Sequence, residues 1–134
     1  MIVQSLAGLP SFLAYFCTAF AITIAYLLIY VWIGPHDEFE LIRKNVPGAA
    51  IALGLSLLGF VIPVASVIAH TANLLDCVVW SIIALIVQVV VYFVVRIPIP
   101  NLPQRIAAGD LAPAIWLGIA SLAAGALSAA SISY

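Results

Sequence analysis

The 134-residue chain is 66% hydrophobic and only 7% charged, with a net charge of -1 and a mean hydropathy of +1.30. A water-soluble domain of ordinary composition carries about 25% charged residues, so four basic and five acidic side chains cannot cover a surface that faces water. The near-neutral charge excludes a basic nucleic-acid footprint, and the length suits one compact domain whose solvent is largely lipid.

A spanning helix needs about 20 apolar residues. The first such run is Phe12–Ile33. No Lys or Arg precedes it and it is too long for the apolar core of a signal peptide, so it reads as a retained span. The loop that follows, residues 34–45, is the most informative polar stretch. Asp37 and Glu38 open it and Arg43 and Lys44 close it, an order that suits the macrodipole of a short helix. Glu40 and Lys44 form an i,i+4 pair. Phe39, Ile42 and Val46 fall on one face. The spacing predicts a short helix lying on the membrane surface. Its polar residues His36, Glu38, Glu40, Arg43 and Lys44 make a candidate docking site for a cytosolic partner. The plainer alternative is a solvated connector that sets hairpin geometry.

The second span is Ala49–Ala69. Pro63 lies deep within it, frees the Gly59 carbonyl four residues back and should kink the helix. A kink can line a cavity, but more often it shapes packing. His70 and Asp76 on the second loop are too few for a metal site. The third span, Cys77–Val95, is apolar all round and rich in Val and Ile. In water that content favours strand. In lipid the backbone must satisfy itself, so helix prevails. Gln88 is the one amide well inside a span. It should face another helix, either as a pore or substrate contact or, in the favoured reading, as interhelical glue.

The third loop carries Pro98, Pro100 and Pro103 and reads as stiff and extended, with Arg96 and Arg105 suited to anionic head groups. Asp110 reads as the N-cap of the last span. That span, Leu111–Ile132, is rich in Ala, Gly and Ser. Ser121, Gly125 and Ala129 recur at i, i+4 and i+8, as do Ala120, Ala124 and Ser128. Such rows let helix backbones approach closely, so this is the expected packing helix. Cys17 and Cys77 make no metal or CxxC spacing. They read as buried or lipid-facing thiols, with a disulfide as the alternative.

All four basic residues (Arg43, Lys44, Arg96 and Arg105) fall in or beside the first and third loops. The positive-inside rule then puts those loops in the cytosol and both termini outside. The aromatic residues fit interfacial belts, with Tyr15, Trp80 and Tyr134 near the outer face and Tyr30, Trp32 and Tyr92 near the inner one. An internal repeat is also expected. Ala50-Ile51-Ala52-Leu53-Gly54 returns as Ala114-Ile115-Trp116-Leu117-Gly118, an offset of 64 (114 minus 50). The chain then divides into two helical hairpins, about 11–70 and about 75–134, related by an axis along the membrane normal. The expected fold is an all-α integral membrane protein, with four transmembrane helices as two repeated helical hairpins.

Several stretches, taken together and in order, resemble a known family: PHDEFELI (35–42), LLGFVIPVAS (57–66), IALIVQ (83–88), Val95-Arg96 and AAGALSAA (123–130). The chain is similar over most of its length, from about Ser11 to Ala130, to the YjfL-type small inner-membrane proteins of bacteria, whose function is unassigned. The resemblance implies four spans in a bacterial inner (plasma) membrane. It also implies accompaniment by phage-shock-like peripheral proteins, hence a link to membrane stress. It supplies no catalytic residues. Pro47-Gly48 departs from the family pattern and puts the start of the second helix in question.

No Ser/His/Asp set, metal cluster or paired thiols appear, so no enzyme activity, cofactor or metal is expected. The favoured reading is a membrane scaffold or stress-associated protein that docks a cytosolic peripheral partner. The alternative is a small channel or transporter built as a homo-oligomer. Ion-coupled carriers usually place an ionisable residue within the membrane, and no Asp, Glu, Lys or Arg lies in these spans.

Overall fold

The computed structural model describes residues 2–34, 37–71 and 73–132. The helices in chain order are α1 (Ile2–Leu6), α2 (Leu9–Ile33), α3 (Glu38–Arg43), α4 (Pro47–His70), α5 (Leu74–Val94), α6 (Leu102–Ala107) and α7 (Leu111–Ser131). Among the described residues there is no strand. Four helical stretches are long and apolar enough to cross a membrane: Ile2–Ile33, Pro47–His70, Leu74–Val94 and Leu111–Ser131. They match the four expected spans with shifts of a few residues at their ends. The first extends to the N-terminal side through the short α1.

Helix starts follow local chemistry. Pro47 opens α4 at a first-turn position, where its missing N–H costs nothing. The adjacent Gly48 packs against Ala114. The Pro47-Gly48 pair therefore begins this helix cleanly. The Asn73 side chain caps α5 by accepting from the Leu75 N–H at 2.9 Å.

The third loop corrects the sequence reading. It is not extended throughout, because residues 102–107 form α6. Asn101 enters it with a left-handed φ of 59°. Pro103 sits in its first turn, where proline fits a helix. Asp110 does occupy the N-cap position of α7, but its side chain makes no capping bond. Its carboxylate instead accepts from Arg105 Nε at 3.1 Å.

The most extensive helix contact is between α4 and α7. Its basis is small residues. A Cβ added at Gly125 would fall inside the Gly59 backbone, and one at Gly118 would lie 2.8 Å from Leu55 Cβ. Of the two small-residue rows in α7, Ser121 and Gly125 of the first are buried, while its Ala129 and the whole second row, Ala120, Ala124 and Ser128, are half-buried. Pro63 contributes from α4. It leaves the Gly59 carbonyl without its usual donor, and that carbonyl faces Gly125 across the seam.

Helix α5 lies against α4, α7 and α2. Helix α2 is peripheral, and its buried residues, Tyr26 and Tyr30, are both in its second half. Phe12, Phe16 and Phe20 stack on one another at 5.6 and 5.9 Å along its first half and are exposed. Cys17 is exposed and Cys77 is buried, both as free thiols. Helices α3 and α6 lie at the same end of the bundle and close it.

Candidate functional site

The site forms where α3 and α6 close the bundle, and it is built around one carboxyl group. The Asp37 side chain caps α3 by accepting from the N–H groups of Phe39 at 3.0 Å and Glu40 at 3.4 Å. At the other end, Asn45 adopts φ 67°, and its N–H donates to the Ile42 carbonyl. The helix is thereby fixed in length. Replacing Asp37 with Ala should cost about 1 kcal/mol, seen as faster amide hydrogen exchange confined to residues 38–43.

Packing of α3 against the bundle turns Glu38 inward. The expected amphipathic face, Phe39 with Ile42 and Val46, is corrected here. Leu41, Ile42 and Val46 pack on the core, whereas Phe39 is exposed. Glu38 shares the inward face with Leu41 and Ile42, at spacings of three and four residues, and is only 8% exposed. It therefore is not part of an exposed docking surface. Glu40, Arg43 and Lys44 are exposed, with Glu40 and Lys44 paired at 3.0 Å. His36 lies outside the described residues.

A small cavity of ≈ 20 Å³ lies beside Glu38, lined also by Tyr30, Ala52, Tyr92, Ile106 and Leu117. That volume holds about one water molecule. Tyr30 and Tyr92 are each 3% exposed and meet edge to face at 5.3 Å. They belong to the core. Arg96 lies over the Tyr92 and Phe93 rings at 5.5 and 5.8 Å, within cation–π range. Burial pushes the Glu38 carboxyl up to about 7. A hydrogen bond from its own backbone N–H works against this, and the neighbouring Asp37 charge adds to the rise. Its Oε2 is buried with no hydrogen-bond partner among the described residues.

Gln88 and Pro63 lie elsewhere, within the bundle. Gln88 Nε2 donates to the Ser121 carbonyl at 3.1 Å, bridging α5 to α7. Gly59 makes room for this bond, since a Cβ there would lie 2.7 Å from Gln88 Nε2. His70 donates from Nδ1 to the Ser66 carbonyl at 2.8 Å. Among the described residues, no three His, Cys, Asp or Glu side chains come together as a metal site. Sequence reasoning missed Tyr30 and Tyr92 as neighbours of Glu38. The available signal was the apolar pair Leu41 and Ile42 at helical spacing from Glu38.

A family model described as "Domain of Unknown Function (DUF350)" matches residues 4–132. The "UPF0719 inner membrane protein YjfL" of Escherichia coli (strain K12) is 36% identical over 129 residues, spanning 96% of this chain and 98% of the relative. The protein of the same name from Escherichia coli O157:H7 matches to the same extent. No solved structure gives a significant match.

Proposed function

We propose, from the premise that this chain belongs to the DUF350 family, that it is a bacterial inner-membrane scaffold. It docks a cytosolic peripheral protein and catalyses no reaction of its own. The observation that carries this reading is the outward face of α3. Glu40, Arg43 and Lys44 stand exposed there, on a helix whose other face is anchored to the bundle. A rigid helix presenting charges of both signs suits recognition of a complementary charged surface.

The inner-membrane location is supported by the relatives' names. The orientation, with both termini periplasmic, is supported by the charge distribution. Every Lys and Arg lies at or near the α3/α6 end. The two-hairpin organisation, α2 to α4 and α5 to α7, also draws support from the backbone. An offset of 64 carries Glu38–Arg43 onto Leu102–Ala107. It carries Asn45 with φ 67° onto Gly109 with φ 100°. The closing bonds correspond as well: Asn45 N–H to Ile42 and Val46 N–H to Leu41 match Gly109 N–H to Ile106 and Asp110 N–H to Arg105.

Replacing both Arg43 and Lys44 with Glu tests the docking reading. A cytosolic partner that copurifies from native membranes with the wild type should fall about tenfold or more with the variant. Equal recovery would end this reading. A bare homo-oligomer from both would favour the alternative, an oligomeric channel or transporter. That alternative needs several copies, because the Gly59–Gly125 seam and Gln88 fill the middle of a single chain.

A further inference from the structure

Helices α3 and α6 are each six residues long and end in the same backbone turn. Each buries its first residue against the bundle. In α6 that residue is Leu102, 1% exposed; in α3 it is Glu38, 8% exposed. Packing at this position is met by an apolar side chain, so the carboxyl group is not there to fill space. Burying it carries a cost. An ionised carboxylate without a buried partner is penalised by several kcal/mol, and such groups neutralise instead.

No cation among the described residues stands at ion-pair distance from Glu38. Just past the end of α5, Arg96 is held over the rings of Tyr92 and Phe93. On α6, Arg105 is bound to Asp110 at 3.1 Å. On α3 and its two caps, Lys44 is bound to Glu40, Arg43 is exposed and Asp37 adds a like charge. The groups that α4 and α7 place around the cavity, Ala49, Ala52 and Leu117, do not ionise. From α2 and α5 come the phenols of Tyr30 and Tyr92. The surroundings therefore offer hydroxyl groups and room for one water, but no counter-charge.

We propose that Glu38 is a proton-binding site, its carboxyl holding a proton from the adjoining aqueous phase while α3 is seated on the bundle and releasing it when α3 lifts away. This goes beyond the docking reading and stands without it. The seated state binds the proton more tightly than the unfolded chain does, because burial raises the carboxyl to about 7 from its ordinary 4.5. Stability is therefore fullest below about pH 4.5, declines as pH rises, and levels off above about pH 7. The unpartnered Oε2 lets the same proton favour a seated α3.

Glu38 and Glu40 are the two glutamates of the sequence, which makes a direct test available on the wild-type protein. With glutamate labelled with carbon-13 at the side-chain carboxyl, the full chain in lipid bilayers gives two carboxyl resonances by solid-state NMR. One of them should titrate with a midpoint near neutral pH. It should vanish in Glu38→Gln and persist in Glu40→Gln. The latter assigns the signal even where Glu38→Gln does not fold. In parallel, Glu38→Leu, which copies the residue that opens α6, should abolish the several-degree fall in Tm of the wild type between about pH 5 and about pH 8. Two resonances that both finish titrating below about pH 5.5 would overturn the proposal. So would a near-neutral signal that survives Glu38→Gln. A midpoint that moves when sodium is exchanged for a bulky organic cation at constant ionic strength would also overturn it, by making the ligand a metal cation. A lost partner with an intact titration, or the reverse, separates this proposal from the docking reading.

Discussion

Replacing Gly125 with Ala should destabilise the bundle by about 3 kcal/mol, measured as a shift of the unfolding midpoint in mixed detergent and SDS micelles. The added methyl group falls inside the Gly59 backbone of α4. Backbone cannot rotate away as a side-chain end can, so α4 and α7 must separate. Separation loses dispersion contacts along the whole seam, and in lipid, association rests on such contacts and not on a hydrophobic driving force. The same shift moves the Ser121 carbonyl relative to Gln88 Nε2 and stretches their bond. Gly54→Ala is the control. Nothing lies within 4 Å of a Cβ at Gly54, so that variant should be neutral or gain up to about 1 kcal/mol from helix propensity. Equal effects at Gly125 and Gly54 would mean that the close seam does not hold the fold together.

Phe60→Ala should cost about 3 kcal/mol or more. Phe60 is fully buried and stacks on Tyr26 at 4.7 Å with the rings 9° apart. Tyr26 in turn contacts Tyr30 at 6.3 Å. This ring series is a principal attachment of α2, whose first half buries no residue. Truncation should therefore loosen α2 selectively. Amide exchange should accelerate across residues 26–33 more than in α7. Phe16→Ala removes a ring of similar size from the lipid face and should change stability by less than about 0.5 kcal/mol. If the two variants were equivalent, α2 would not be held through Tyr26 and Phe60.

The spans were legible because lipid imposes a length and an apolar composition, and both can be read directly from residues 49–69 or 111–132. The role of α7 was legible too, since Ser121 and Gly125 at helical spacing signal close approach. Its partner was not. Nothing local says that Gly125 meets Gly59, because that pairing depends on how four helices are arranged. The third loop was misread through its prolines, which favour extended chain in general but are accepted in a first helical turn, as at Pro103. The site was half legible. The short helix at 38–43 and the Glu40–Lys44 pair both follow from local chemistry; the capping bonds of Asp37 came only with the structure. The burial of Glu38 does not, because a carboxylate in a charged loop reads as solvated. Only the position of α3 against Tyr30 and Tyr92 turns it inward.

The seam between α4 and α7 also sets the order in which the chain can be completed during synthesis. Helix α4 ends at His70 and α7 at Ser131, so 61 further residues must leave the ribosome before the groove at Gly59 meets its partner. At about 5–20 residues per second, that groove is open to lipid for several seconds. A nascent chain arrested before α7 would insert three spans, yet expose the face of α4 that the finished protein covers most fully.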